Sequence, residues 1–242
     1  DHLMATYAAV VNRMDKSIGD LVAGLKQRGI LDNTLILFMS DNGGNAETGA
    51  KGRTEGDPSK GNSNWFSGES WAYAQNTPFR LYKHFNHEGG ISTPLIAHWP
   101  AGIKARAELR AQPGHLVDIL PTCLEVAGAT PLKERAGTAV LPPEGRSLVP
   151  AFANQPLQRE ALYWEHEGNA AIRVGDLKLV RAGRNGAWEL YDLKKDRTEQ
   201  QDLAAAQPAV VADLVLARTA ARMASRWRSP PGVGVVKARS AR

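Results

Sequence analysis

TLILFMSDNGG, from Thr34 to Gly44, runs a short unbroken apolar segment directly into a polar, glycine-rich turn. A continuous apolar run bounded by turn residues reads as a strand buried on both faces of a largely parallel sheet. Upstream, Leu3, Tyr7, Val10, Val11, Met14, Ile18, Leu21, Val22 and Leu25 recur at steps of three and four. That spacing predicts a helix with one apolar stripe, closed at Gly29 and expected to pack by that stripe. Asp32-Asn33 supplies the turn, which makes helix and strand one αβ unit.

Downstream, residues 43–76 are rich in Gly, Ser, Asn and charge without a sustained period, and read as a long surface loop. Within it, Trp65, Phe66, Trp71 and Tyr73 imply that part folds back onto the body, through simple packing or through substrate contact. Pro94 to Trp99 reads as a second buried strand. His115 to Ala127 reads as a helix ended by Gly128, with Pro121 forcing an irregularity. Pro142 to Pro156 is proline-rich and weakly patterned, a boundary or linker.

Beyond it, Ala161 to His166, Ala170 to Val174, Leu177 to Arg181 and Ala187 to Leu193 are short strands separated by Gly-containing turns. They predict an antiparallel meander. Pro208 to Met223 predicts a closing helix with Val210, Val211, Leu214, Val215 and Met223 as its apolar positions. The fold class is therefore α/β: part of a mixed sheet with helices over residues 1–150, then a four-stranded antiparallel sheet and terminal helix over 151–227. Residues 228–242 read as a disordered tail.

Composition narrows the function classes. A chain of 242 residues with 43% hydrophobic and 23% charged content is that of a globular protein able to bury a core. The net charge of +5 is concentrated at the end, from Arg218 to Arg242, so the body is close to neutral. No interleaving of basic and exposed aromatic residues supports nucleic-acid binding. No run reaches the length of a membrane span. A single cysteine, Cys123, excludes an internal disulfide and any multi-cysteine zinc site, and its apolar helical setting predicts a core position. Asp1 opens directly on the helix pattern, so the natural N-terminus is expected elsewhere.

Two segments carry chemistry. Asp41 and Asn42 stand where the apolar strand ends, and ligand sites of open α/β sheets lie at the carboxyl ends of strands. A carboxylate and an amide oxygen are hard donors suited to Ca²⁺ or Mg²⁺. The pentapeptide by itself reads first as an ordinary Asp-Asn-Gly turn, and calcium takes roughly six to eight oxygens. The second segment is TPFRLYKHFNHEGGISTPLIAHWP, Thr77 to Pro100. There Lys83 could neutralise a bound anion or steady a departing oxygen, although a solvated surface position is the usual fate of a lysine. His84 and His87 could be acid–base groups, ligands or satisfied structural residues, and the last is the default. Glu88, before Gly89-Gly90, reads as a turn-fixing carboxylate.

Taken in order, five stretches resemble the sulfatase family: Tyr7 to Gly44, Asn76 to Pro100, Gly114 to Ala129, Glu144 to Phe152 and Glu189 to Ala204. The resemblance implies an alkaline-phosphatase-like fold and an arylsulfatase-type sulfuric ester hydrolase. It also implies that Asp41 and Asn42 supply two ligands of a single calcium and that Lys83 contacts the sulfate. The substrate implied is a sulfate-ester small molecule or sulfated glycan, and the compartment periplasmic or secreted. In the family a formylglycine made from the Cys, or sometimes Ser, of a Cys-x-Pro-x-Arg motif attacks sulfur.

The chain departs from that pattern at the nucleophile. Cys123 is followed by Leu124, Glu125, Val126 and Ala127, so it lacks the motif's proline and arginine, and no serine begins a matching pentapeptide. The nucleophile, the remaining calcium ligands and part of the cover for Leu35 to Met39 are expected upstream, leaving apolar surface exposed here. Two rival readings stand beside this one. A phosphatase, phosphodiesterase or phosphonate hydrolase of the same superfamily usually has a second metal, with His after the aspartate; Asn42 favours the one-metal arrangement. A noncatalytic remnant that binds a sulfated sugar or a partner protein is the other.

Overall fold

A computed structural model describes residues 2–104 and 107–227, with side chains as far as residue 221. Helix α1 (His2–Gln27) carries the predicted stripe and ends as the sequence requires. Gly29 takes φ 70°, and the N–H of Ile30 returns to the carbonyl of Leu25 at 3.1 Å, a left-handed termination that glycine adopts without a Cβ penalty. The expectation that the stripe packs is not met. The helix buries no residue, and Tyr7, Val10 and Leu21 are among its exposed side chains.

Strand β1 (Ile36–Met39) leads into the Asp41–Asn42 turn. The segment expected to be a loop holds more structure than its composition suggests: β2 (Arg53–Glu55) pairs with β3 (Asn64–Phe66), and α2 (Glu69–Asn76) follows. Gly and Ser residues hide these short elements because they occupy the turns between them. Next come α3 (Glu88–Ile91) and β4 (Leu95–His98). β4 pairs with β1 in antiparallel register, Ile36 opposite His98 and Met39 opposite Leu95. The two apolar runs are therefore antiparallel neighbours with partly open faces; Phe38 and Ile96 are exposed. Among the described residues the pair forms a two-stranded sheet, and β1 is only partly buried.

Helix α4 (Ile119–Val126) is preceded by a short 3-10 turn at Leu116–Asp118. Pro121 lies in the first turn of α4, where no backbone N–H is needed, so the helix begins later than the sequence pattern suggests. Cys123 is exposed, contrary to its predicted core position. Thr122 takes the buried place instead, receiving the Leu148 N–H at 2.9 Å and donating to the Asp118 carbonyl at 2.6 Å. After the small hairpin β5 (Glu134–Arg135) and β6 (Thr138–Ala139), the proline-rich segment forms α5 (Val149–Phe152). Asp118 is fully buried, accepts from the backbone of His115 and Arg146, and pairs with Arg159. This carboxylate ties α4 to the segment that looked like a linker.

Strands β7 (Leu162–His166), β8 (Asn169–Val174), β9 (Leu177–Arg181) and β10 (Glu189–Asp192) form the predicted meander, each antiparallel to the next. One face carries Ile172, Leu179 and Leu190, covered by Leu214, Val210, Val211 and Val215 of α6 (Pro208–Trp227). Alternate residues face the other way: Ala171, Val180 and Tyr191 cluster there with Leu193. That second face meets the loop containing Lys83. Met223 and the tail at 228–242 lie outside the residues described to side-chain level.

Candidate functional site

The candidate residues Asp41 and Asn42 stand at the exit of β1. Ser40 donates from Oγ to the Asn42 carbonyl at 2.8 Å, closing a tight turn, and Thr93 donates to the Ser40 carbonyl at 2.9 Å. Within that turn, Asn42 Nδ2 donates to the Gly43 carbonyl at 3.0 Å, which leaves its Oδ1 as an acceptor. The Asp41 side chain is exposed and has no hydrogen-bond or ion-pair partner among the described residues. Two hard oxygens from successive residues thus remain free at the strand end. This donor set fits a calcium ion, to which it would give two of the roughly six to eight oxygens required.

The backbone of Lys83 meets the same turn. Its backbone N–H donates to the Gly44 carbonyl at 2.9 Å, and the N–H of Gly43 donates to the Gly90 carbonyl at 3.0 Å. Asn76 bridges the segments, accepting from Gly44 N–H at 2.7 Å and donating to the Leu81 carbonyl at 3.0 Å. Such contact needs glycine. A Cβ on Gly43 would stand 1.8 Å from the Gly89 carbonyl oxygen, and one on Gly89 would stand 2.1 Å from that of Leu81. The paired glycines of both motifs therefore serve close backbone packing, a role more specific than turning the chain.

The lysine side chain is half-buried and pairs with Glu47, Nζ to Oε2 at 3.1 Å. On either side of it, Leu81 and His84 hold positive φ angles of 63° and 95°, a region that costs non-glycine residues about 1–3 kcal/mol and persists where the surroundings impose it. Part of that imposition comes from Tyr82, which donates to Glu69 at 3.0 Å and packs edge-on against Tyr73 and Phe85, each at a centroid distance of 5.3 Å.

Behind this loop lies a buried ionic network that the sequence reading did not foresee. Lys178 is fully buried, with Nζ 2.9 Å from both Glu88 Oε1 and Glu199 Oε1. Glu199 also accepts the Glu88 N–H at 2.8 Å, and Arg197 pairs with Glu88 at 3.1 Å. Burial works to raise the Glu88 carboxyl, but Lys178 and Arg197 outweigh it and hold the group below its ordinary value. Beside this cluster, Glu189 receives Arg80 at 2.7 Å and the Tyr191 hydroxyl at 2.5 Å, with His87 Nε2 at 3.3 Å. Burial again pushes Glu189 upward; hydrogen bonds from His87, Tyr191 and Arg80 overcome it and bring the carboxyl down to about 2. Tyr191 moves the opposite way, raised by burial and by the Glu189 carboxylate.

Glu88 is therefore a member of a buried ion-pair network, where a turn-fixing carboxylate was expected, and His87 is wholly buried with Nε2 against Glu189 and Nδ1 without a hydrogen-bond partner among the described residues. The missed residue is Lys178. In LKLVR it alternates as a solvent-facing strand residue would, and no local signal reveals that the Lys83 loop covers that face. The aromatic cluster is divided: Trp65, Phe66 and Trp71 line a cavity of about 290 Å³ together with Leu3, Tyr7 and Gln75, while Tyr73 packs on Tyr82. No helix among the described residues is long and apolar enough to cross a membrane.

Comparison with known proteins identifies relatives of the chain. The profile of the sulfatase family matches residues 1–129, and that of the N-sulphoglucosamine sulphohydrolase C-terminal region matches 79–219. An uncharacterised sulfatase of Schizosaccharomyces pombe is 35% identical over 88% of this chain and 42% of its own length. An arylsulfatase of Klebsiella aerogenes is 34% identical over 60% of the chain and 34% of its own length. The crystal structure of Ps i-CgsB in complex with k-i-k-neocarrahexaose superposes with a TM-score of 0.67 at 27% identity, over 91% of this chain and 42% of that one. The chain thus spans less than half the length of these relatives.

Proposed function

This chain belongs to the sulfatase family, and from that premise we propose that it forms the C-terminal part of a calcium-dependent sulfuric ester hydrolase. The observation that carries the reading is the Lys83 N–H to Gly44 carbonyl bond of 2.9 Å, which ties the Lys83 loop to the turn bearing Asp41 and Asn42. In this reading the calcium pair and the anion-binding lysine, distant in sequence, share one strand-end site.

Asp41 and Asn42 would hold the calcium. When bound, that ion supplies concentrated positive charge toward the oxygens of a sulfate group. Lys83 contributes the second positive charge. Its ammonium donates to a sulfate oxygen, or to the ester oxygen as it acquires charge on S–O cleavage, and needs no proton transfer to do so. Glu47 holds that ammonium in the structure, so an incoming sulfate replaces one carboxylate partner with another anion. The bonds around Gly43, Gly44, Asn76 and Gly89 fix the lysine backbone before substrate arrives, which removes a reorganisation cost from the reaction.

No Cys-x-Pro-x-Arg motif or serine equivalent occurs in this sequence, and the nucleophile is therefore proposed to come from a segment outside it. The substrate class is a sulfate-ester small molecule or a sulfated glycan. The glycan arm draws support from Ps i-CgsB, whose structure contains a neocarrahexaose. The protein carrying this chain behind a nucleophile-bearing segment should be given matched aryl sulfate and aryl phosphate esters. Preferential sulfate release supports the reading, preferential phosphate release replaces it with a phosphatase, and release of neither leaves a binding remnant.

A further inference from the structure

We infer that His84, His166 and Glu167 form a binding site for a borderline divalent cation of the zinc type, separate from the Asp41–Asn42 pair. One ligand atom from each of the three residues lies within 4.8 Å of the others. His84 Nδ1 is 3.4 Å from Glu167 Oε2, and two ligands each about 2.1 Å from a tetrahedral centre are separated by about 3.4 Å. The two imidazole rings stand 5.3 Å apart at an interplanar angle of 82°.

The residues come from different parts of the fold and are held there by a buried group. His84 is on the Lys83 loop; His166 ends β7 and Glu167 begins the turn into β8. Asn169, 1% exposed, donates from Nδ2 to the His84 carbonyl at 3.0 Å and to the His166 carbonyl at 3.1 Å. Its Oδ1 accepts the Gly183 N–H at 2.9 Å. One side chain therefore fixes the backbone of both histidines, which holds the two imidazoles side by side on adjoining segments. A plain His84–Glu167 surface pair would contribute little to stability, between about 0 and 1 kcal/mol, and does not account for a buried asparagine that clamps both histidine backbones.

Ligand type sets the ion. Two imidazoles and one carboxylate suit zinc and similar transition metals, whereas calcium takes oxygen donors alone. His166 and Glu167 are exposed, so the ion has an entry path and keeps a coordination position open. Because His84 directly follows Lys83, loading would also stiffen the lysine loop against the C-terminal sheet. That consequence rests on the proposed sulfatase reading; the site itself does not.

Cobalt(II) titration of the full chain, followed by visible absorption, tests the site without any hydrolysis assay, so its outcome is independent of whether sulfate is released. One equivalent should give the d–d bands of a low-coordinate nitrogen–oxygen site, bleached by one equivalent of zinc and untouched by excess calcium. His166→Ala and Glu167→Gln, both at exposed positions, should each weaken binding at least tenfold while circular dichroism stays unchanged. Asn169→Ala, which removes no ligand, should weaken it to a smaller degree. Absence of the bands, or cobalt binding of the same strength and stoichiometry in a His84→Ala, His166→Ala double variant, would overturn the inference.

Discussion

The backbone of Gly43 lies so close to Gly89 that a Cβ on the former would stand 1.8 Å from the carbonyl oxygen of the latter. This contact joins the Asp41–Asn42 turn to the Lys83 loop, and the obstructing atom is backbone, so a larger residue cannot be accommodated by rotating a side chain. Gly43→Ala is therefore expected to separate the two segments and destabilise the fold by at least about 1–3 kcal/mol. Urea unfolding, read by tryptophan fluorescence, checks the loss; an unchanged midpoint would mean that the segments are not in contact.

Glycine in α1 behaves in the opposite sense. Gly24 has nothing within 4 Å of an added Cβ and lies inside the helix. Gly24→Ala should stabilise by about 0.5–1 kcal/mol, seen as a raised thermal midpoint alongside the Gly43→Ala loss.

Lys178 neutralises two buried carboxylates, Glu88 and Glu199. Removing one partner of a buried ion pair costs about 3–5 kcal/mol, because the remaining charge is left unpaired. Lys178→Met should show that loss in chemical denaturation, and the added change Glu88→Gln should recover part of it. Additive losses in the double variant would contradict the coupling.

The acid limb of stability should be governed partly by Glu189. Its folded carboxyl lies at about 2 against an ordinary value of 4.5, so the folded state binds fewer protons than the unfolded chain over that interval. The contribution is complete above about 4.5 and is lost as pH falls toward about 2. Glu189→Gln should flatten the fall in stability across this window, measured by denaturation at stepped pH. An equally steep fall in the variant would show that other carboxylates set the acid limb.

How much of this was legible in the sequence depended on whether the determining forces were local. The meander and α6 were legible because alternation in strands, Gly-containing turns and the Val210–Val215 spacing are local consequences of burying one face. Asp41, Asn42 and Lys83 could be named as candidates from the sequence, but the sequence did not show why glycines flank both motifs; that emerged from backbone contacts between them. Lys178 was hidden because its burial depends on a loop about 90 residues earlier in the chain. The antiparallel pairing of β1 with β4 was hidden for the same reason, since an apolar run carries no mark of its neighbour's direction. Cys123 was misplaced because helical periodicity alone could not fix which face of α4 packs, and Thr122 took the inner position through its hydrogen bonds.

Lys83 itself should matter to the chemical step. In the protein carrying this chain behind a nucleophile-bearing segment, Lys83→Ala is expected to lower kcat/KM for a sulfate ester by about 10²- to 10³-fold, the scale of removing one charge-stabilising donor. Lys83→Arg should restore only part of the rate, since the guanidinium is planar where the ammonium is compact. A rate within twofold of the parent in Lys83→Ala would remove the lysine from the site.

The most direct measurement is the calcium dependence of sulfate release by that same protein, compared with Asp41→Ala and Asn42→Ala. The account predicts release that a chelator abolishes and calcium restores, with either variant needing a markedly higher calcium concentration. Release that persists through chelation, or calcium dependence identical in all three proteins, would contradict it.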